Sequence, residues 1–182
     1  MKTLAPAWRL AYRGLLALLL PLYTGSARAE DSLELRVKSA FLFNFANFIS
    51  WPDSKLAGPA DPVWFCLLER DTLGPVLEAT IDGKSVDGHP LQVRYVDRMD
   101  ALRDCELAYL GVMDASRLPA LEMLRGSGVL SVYDSEVTQS PGIVRFFLEE
   151  RRVRFEINQA AAEREGLQVS SRLMGVAKVV RE

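Results

Sequence analysis

The stretch VWFCLLERDTLGPVLEA, residues 63–79, decides the fold of this 182-residue chain. Its first six residues form an apolar run of strand length, and residues 72–79 have the spacing of a short helix. Asp71 or Thr72 is a plausible cap for that helix, since both side chains accept hydrogen bonds from backbone N–H groups. After the turn-rich DGKSVDGHP, the alternating LQVRYV predicts a half-buried strand. This order of elements favours two parallel strands joined by a helical crossover.

The same alternation of strands and helices continues through the middle of the chain. A short helix at residues 99–103 precedes the apolar run CELAYLGV, which we interpret as a strand. The segment DASRLPALEMLRG predicts a helix with Ser116 as its N-cap and Gly126 after its end, and the strand VLSVYD follows. We therefore predict a single α/β domain whose mixed, mostly parallel sheet is flanked by helices.

The C-terminal quarter of the chain departs from this alternation. The alternating runs GIVRFFLEE and RVRFEIN, joined by a polar turn at residues 149–152, predict an antiparallel hairpin at the sheet edge. A helix of AAAER type follows, capped by Asn158 and ended by Gly166. A last helix is predicted from Ser170-Ser171 onward, with these residues buried: Leu173, Met174, Val176, Ala177 and Val180.

An amphipathic helix is predicted before the first strand. In SLELRVKSAFLFNFANFISWP, residues 32–52, apolar side chains recur at three- and four-residue spacing. Proline cannot continue a helix, so the Trp51-Pro52 pair marks its end. We interpret its aromatic side chains as part of the core.

The first 29 residues resemble an export signal. Basic residues precede the apolar run at residues 15–22, and the segment ends in Ala27-Arg28-Ala29, a small-residue cleavage pattern. The run is far shorter than the roughly 20 residues that span a bilayer, although a retained anchor is the alternative. We predict cleavage after Ala29, which leaves residues 30–182 as the domain.

Charge and motifs exclude several functions. The leader holds four of the 22 basic residues and none of the 24 acidic ones, so the mature chain has six more acidic than basic residues. This balance argues against nucleic acid or anionic lipid as the main partner. No nucleophile elbow or phosphate-binding loop is present, and the one histidine, His89, lies in a turn. We predict no enzymatic activity, cofactor or metal.

Two cysteines remain, Cys66 and Cys105, each within an apolar run. In an exported protein an even pair favours one disulfide, and two buried thiols are the alternative. A bridge would join two predicted strands and stabilise the fold by about 3–4 kcal/mol in the chain-entropy model.

One local pattern suggests a ligand. Ser170, Ser171 and Arg172 open the predicted last helix, where free N–H groups favour an anion. Two hydroxyls and a guanidinium could hold a carboxylate or phosphate there. The alternative is an ordinary N-cap beside a solvated arginine.

Two segments together carry a resemblance to a known family. VKSAFLFNFANFISWP and RVRFEINQAAAEREGLQVSSRLMGVAKVV, with the leader and the strand pair VLSVYD and GIVRFFLEE, resemble the YfiR family of periplasmic proteins. The resemblance implies a repressor, not an enzyme. Such proteins bind the periplasmic sensor domain of the inner-membrane diguanylate cyclase YfiN, and the outer-membrane lipoprotein YfiB can sequester them. The cyclase's product, cyclic-di-GMP, favours exopolysaccharide and biofilm.

The resemblance also implies a homodimer and an oxidised pair at Cys66 and Cys105. Some relatives carry a second cysteine pair near the hairpin, where this chain has residues such as Ser140 and Arg152. A redox switch that needs two bridges is therefore in doubt here.

A partner surface is predicted in the segment 153–169. Glu163, Arg164 and Glu165 lie in the sequence beside the apolar Leu167 and Val169. A charged rim around an apolar centre is typical of protein interfaces, and a solvated helix end is the alternative. We name Glu163, Arg164, Leu167 and Val169 as candidate contacts. The competing hypothesis is a periplasmic module that binds a small anionic ligand.

Overall fold

The computed structural model describes residues 25–56, 58, 60–138 and 140–181, with side chains from residue 32 onward. The chain divides into two compact units, Met1–Leu33 and Glu34–Glu182, and the account below concerns the second. Residues 1–24 of the predicted leader lie outside the described residues, so the leader stays a prediction. In the described part, no helix is both long enough and apolar enough to cross a membrane.

The described elements alternate as the sequence predicts. In chain order they are α1 (Gly25–Phe48), β1 (Ile49–Ser50), β2 (Val63–Leu68), α2 (Leu73–Ile81), β3 (Ser85–Val86), β4 (His89–Val96), a 3₁₀ helix (Met99–Asp104), β5 (Leu107–Val112), a second 3₁₀ helix (Leu118–Leu124), β6 (Leu130–Asp134), β7 (Val144–Glu149), β8 (Arg152–Asn158), α3 (Gln159–Arg164), β9 (Gln168–Val169), α4 (Ser171–Met174) and β10 (Val179–Arg181).

Eight of the strands form one mixed sheet, in the order β10-β8-β7-β6-β5-β2-β4-β3. Pairs β2–β4, β2–β5, β5–β6, β6–β7 and β8–β10 are parallel, whereas β7–β8 and β3–β4 are antiparallel. The predicted α/β class with a mostly parallel sheet and an antiparallel hairpin is confirmed. β1 and β9 form a separate two-stranded sheet.

The hairpin turn at Glu150-Arg151 has both residues at positive φ, 49° and 61°. Such a two-residue turn twists the strands in the direction that antiparallel pairs prefer. The predicted position of the hairpin at the sheet edge is wrong, however, because β10 pairs with the outer side of β8.

The predicted last helix is also wrong beyond its first turn. α4 ends at Met174, and the chain then turns into β10. Of the five residues predicted to be buried, Leu173 is buried and Val176 is 66 % exposed. The physical reason is the exposed edge of β8, whose free backbone groups β10 pairs with.

One face of the sheet packs against α1 and α2. The predicted buried face of α1 is confirmed at Leu42 and Phe45, which have no exposed surface. Phe41 and Phe45 pack against Phe146 and Phe155 of the hairpin, with ring centroids 5.0–6.0 Å apart. Helix α1 ends at Phe48, before Trp51-Pro52, since β1 pairs with β9.

The opposite face of the sheet packs against the two 3₁₀ helices, in a second core that includes Leu102, Leu121 and Tyr133. Capping differs in part from the prediction. The Asp71 carboxylate accepts hydrogen bonds from the backbone N–H groups of Leu73 and Gly74, at 3.0 and 3.1 Å. Ser116 is not the cap of its helix, because that helix begins at Leu118 with Arg117 at the N-cap position; the Ser116 N–H and hydroxyl donate to Asp114 instead.

Candidate interaction surface

The predicted partner residues lie on the segment from β8 to α4. Helix α3 begins after Asn158, whose Oδ1 accepts a hydrogen bond from the N–H of Ala161 at 3.0 Å, as predicted. It ends before Gly166, which has a φ of +73°, a conformation that glycine adopts without steric cost. β9 follows and pairs antiparallel with β1. This short connection sets α3 beside β9.

A shallow groove lies between these two elements. We call it the α3–β9 groove; it has a volume of about 210 Å³ and is lined by Gln159, Ala162, Glu163, Leu167, Gln168 and Val169. Leu167 is 2 % exposed and belongs to the main core, so it forms part of the apolar floor and does not project as a contact. Glu163 is exposed, and its carboxylate accepts a hydrogen bond from the Gln159 side chain at 2.9 Å.

Three of the four predicted contact residues therefore share one groove, namely Glu163, Leu167 and Val169. Arg164 is exposed but lines a different, smaller cavity together with Glu165. The prediction from the sequence placed all four residues on one surface because they are close together in the chain. The helical twist of α3 turns Arg164 away from the groove.

Glu165 has a structural role that the sequence pattern did not indicate. Its carboxylate accepts three backbone N–H groups, from Gly126, Ser127 and Gly128, at 2.9–3.0 Å. Gly126 and Gly128 have φ values of +69° and +68°, so this loop exposes consecutive donors in one direction. Glu165 thus fixes the loop between the second 3₁₀ helix and β6.

Replacing Glu165 with alanine is expected to lower the free energy of unfolding by about 2–3 kcal/mol, because backbone donors lose a charged acceptor. The matched control is Glu163→Ala, which removes an exposed carboxylate two residues away and should change stability by less than about 0.5 kcal/mol. Urea unfolding followed by circular dichroism measures both. Equal effects of the two substitutions would contradict the anchoring role.

The predicted anion-binding residues are only partly arranged for that task. Ser170 Oγ accepts the N–H of Leu173 at 3.3 Å and so acts as an N-cap. Ser171 and Arg172 are exposed, on a helix of four residues. Helix α4 is thus a single turn, with a correspondingly small dipole. Anion binding at these residues stays a prediction.

The two cysteines are joined. Cys66 and Cys105 form a disulfide with their Cα atoms 6.1 Å apart, and both are fully buried. Cys66 lies in β2, but Cys105 lies just before β5, at the end of the first 3₁₀ helix. The predicted bridge between two strands is corrected accordingly: the disulfide fastens this 3₁₀ helix to the sheet.

A buried ion network, not predicted from the sequence, fastens β10 to the hairpin. Arg145 donates to Glu156 Oε2 at 2.8 Å, and Arg181 of β10 forms an ion pair with Glu156 Oε1 at 3.1 Å. Arg145 Nη1 also donates to the carbonyl oxygen of Ser135, and Arg181 Nη2 donates to that of Ser140. The sequence signal for this network was one charged residue in each of the two alternating runs. These residues, Arg145 and Glu156, lie opposite each other in the hairpin.

Glu156 is ionised in this setting. Burial acts to raise the pKa of its carboxyl group, but the hydrogen bond from Arg145 and the charges of Arg145 and Arg181 outweigh burial and lower the pKa. The carboxylate therefore neutralises part of the charge of the two arginines. The network is a structural feature of the sheet edge.

The predicted position of His89 in a turn is wrong: the structure places it at the start of β4, with Nδ1 2.8 Å from the carbonyl oxygen of Asp61. In the part of the chain that the structure describes, no group of three or more His, Cys, Asp or Glu side chains could hold a metal ion.

The protein is thus an α/β domain with a mostly parallel sheet, an internal disulfide and a shallow groove near its C-terminal hairpin. The chain belongs to the YfiR/HmsC-like family, whose model matches residues 35–178. This is a regulatory, non-catalytic family. No curated protein matches the chain.

Proposed function

We propose that this protein represses cyclic-di-GMP synthesis by binding the periplasmic sensor domain of an inner-membrane diguanylate cyclase of the YfiN type. Repression would limit exopolysaccharide and biofilm formation. The observation that carries the proposal is the match to the YfiR/HmsC-like family over residues 35–178, nearly all of the unit Glu34–Glu182.

A periplasmic location is part of the proposal. The buried Cys66–Cys105 disulfide supports it, because such bridges form and persist in oxidising compartments. The predicted leader at residues 1–29 supplies the route of export.

The mechanism we infer is stoichiometric binding that shifts a population. A partner that binds one conformation of the sensor domain more tightly holds the cyclase in that state. We propose the α3–β9 groove as part of the contact surface, since its apolar floor and polar wall combine features of protein interfaces. An outer-membrane lipoprotein of the YfiB type would compete for the repressor, and the repressor itself would be a homodimer.

The test is cellular cyclic-di-GMP in a strain that lacks this gene. Three complements are compared: none, the full-length chain, and a chain without residues 1–29. Deletion should raise cyclic-di-GMP, and only the full-length complement should restore the lower level. Immunoblots establish that both complements are made in equal amounts. An unchanged level after deletion, in a strain that expresses the cyclase, would refute the proposed function.

A second experiment tests the groove. Glu163→Lys reverses an exposed charge at its wall and is expected to weaken binding to the cyclase's periplasmic domain about ten-fold. The matched control is Asp97→Lys, which reverses an exposed carboxylate in the turn after β4. Calorimetry with the purified sensor domain gives both dissociation constants. An equal change for both variants would exclude the groove as a specific contact.

A further inference from the structure

The carboxyl ends of the central parallel strands open a second site, distinct from the α3–β9 groove. From β2 the chain passes through α2 to β4 on one side, and it then returns to β5 on the other side. Pairing of β2 with β5 ends at Leu67–Tyr109, whereas pairing of β2 with β4 continues one residue further. In open α/β sheets, ligands bind where the connections diverge in this way.

A crevice of about 330 Å³ lies at this point. We call it the strand-end crevice; it is lined by the loop residues 69–72 after β2, by residues 109–112 of β5, and by Leu35, Lys38, Arg117 and Asp134. Its volume falls at the lower end of the range for small-molecule sites, roughly 300–1,000 Å³.

The floor of the strand-end crevice is a set of polar groups that already bind one another. Lys38 Nζ lies 2.5 Å from Glu34 Oε1 and 2.6 Å from Asp134 Oδ1, and the Tyr109 hydroxyl donates to Asp134 Oδ2. Burial acts to lower the pKa of Lys38, but the charges and hydrogen bonds of Asp134 and Glu34 outweigh it and raise the pKa. Lys38 is therefore charged, and its ammonium group is already bound by Asp134 and Glu34.

Two arginines line the rim of the strand-end crevice, one after β2 and one after β5. Arg70 follows β2, and its guanidinium carbon lies 4.6 Å from the centroid of the Tyr95 ring. Arg117 follows β5, and one of its Nη atoms donates to the Val112 carbonyl at 3.3 Å. Both arginines are exposed, and stacking or a single bond leaves other N–H groups of each guanidinium to bind a ligand.

Two acidic residues, Glu69 and Asp71, also line the rim. The Asp71 carboxylate is occupied by the N–H groups of Leu73 and Gly74. Glu69 is the other carboxylate of the rim, so two carboxylates lie there with the two arginines. A guanidinium binds a carboxylate through two parallel hydrogen bonds, so an arginine with free N–H groups at the rim is a suitable receptor for that group.

An apolar wall adjoins the arginines. Val112 is 69 % exposed although it belongs to a central strand, and Leu35 and Leu68 line the same crevice. An exposed apolar side chain next to two arginines suits a ligand with an apolar body and one anionic end. Inorganic anions would use only the rim.

We propose that the strand-end crevice binds a small organic carboxylate, with its carboxylate held between Arg70 and Arg117 and its apolar part against Val112. This inference does not depend on the proposed regulation of a cyclase. The site also differs from the one predicted at Ser170, Ser171 and Arg172.

The experiment titrates the ¹⁵N-labelled protein with hexanoate, inorganic phosphate and hexylammonium and follows the backbone amide shifts. Hexanoate should give saturable shifts at residues 69–72 and 111–117, and hexylammonium should not. Arg70→Gln and Arg117→Gln should each weaken hexanoate binding about ten- to hundred-fold. Both arginines are exposed, so the variants should fold, which an unchanged urea midpoint verifies. The matched control is Arg152→Gln, an exposed arginine outside the crevice that should leave hexanoate binding unchanged, and Arg172→Gln tests the alternative anion site at α4.

The outcomes separate the alternatives. Loss of binding in Arg172→Gln but not in the crevice variants would overturn the proposal and place the anion at α4. Phosphate bound as tightly as hexanoate would overturn the role of the apolar wall. Preference for hexylammonium, or no saturable shift with hexanoate, would overturn the carboxylate site itself.

Discussion

Replacing Glu156 with glutamine is expected to lower the free energy of unfolding by about 3–5 kcal/mol, the usual cost of removing one partner from a buried ion pair. Glu156 and Arg145 have side chains that are 5 % and 6 % exposed, and Arg181 binds the same carboxylate. Glutamine keeps the size of the side chain but leaves two arginines without their counter-charge. Urea unfolding at neutral pH measures the loss.

The same substitution should change the response to acid. Because the pKa of Glu156 is lowered in the folded state, the ionised carboxylate stabilises the fold above its unfolded pKa, near 4.5. That stabilisation is lost as the pH falls through the lower, folded value. The difference in stability between the native protein and Glu156→Gln should therefore shrink as the pH falls below about 4.5.

The matched control is Glu149→Gln in the same hairpin. Glu149 forms ion pairs with Arg154 and Lys178, but its side chain is 38 % exposed. Exposed ion pairs contribute at most about 1 kcal/mol, so this variant should remain close to the native protein. If both substitutions cost the same, burial of Glu156 would not be the reason for its effect.

Loss of the disulfide is expected to have an effect of similar size. The bridge closes a loop with a sequence separation of 39 residues. In the chain-entropy model, a loop of this length stabilises the folded state by about 4 kcal/mol, because it restricts the unfolded chain. The double variant Cys66→Ala and Cys105→Ala should lose this amount, measured by urea unfolding at neutral pH.

Reduction provides the control for this second prediction. Unfolding the native protein with dithiothreitol should lower its urea midpoint to a value close to that of the double variant. The double variant itself should not respond to dithiothreitol, since it has no other cysteines. A native midpoint that dithiothreitol leaves unchanged would show that the disulfide contributes no stability.

The candidate surface could be predicted from the sequence only in part. Glu163, Leu167 and Val169 do line one groove, because they lie within seven residues of each other on α3 and β9. The rotation of α3 against the sheet decides the rest. It makes Leu167 part of the groove floor and places Arg164 and Glu165 in the lining of another cavity. Glu165 binds a loop nearly 40 residues away in the chain, a contact that no local pattern encodes.

By itself the sequence determined the elements with a clear period and clear ends. β2 has the predicted bounds Val63–Leu68, and α3 is capped by Asn158 and ended by Gly166 as predicted. Such signals are local, since a cap, a turn or an alternating run depends on neighbours along the chain. The mostly parallel sheet and its hairpin follow from the order of these elements.

Only the tertiary structure decided the features that depend on distant partners. Residues 175–181 have the apolar spacing of a helix, yet Val179–Arg181 form β10. This strand pairs with the edge of β8, and Arg181 forms an ion pair with Glu156. The strand-end crevice exists because β2 and β5 separate after Leu67 and Tyr109. Long-range pairing outweighs local propensity at such places, since its backbone hydrogen bonds and buried charges contribute more than helix propensity, which is worth less than about 1 kcal/mol per residue.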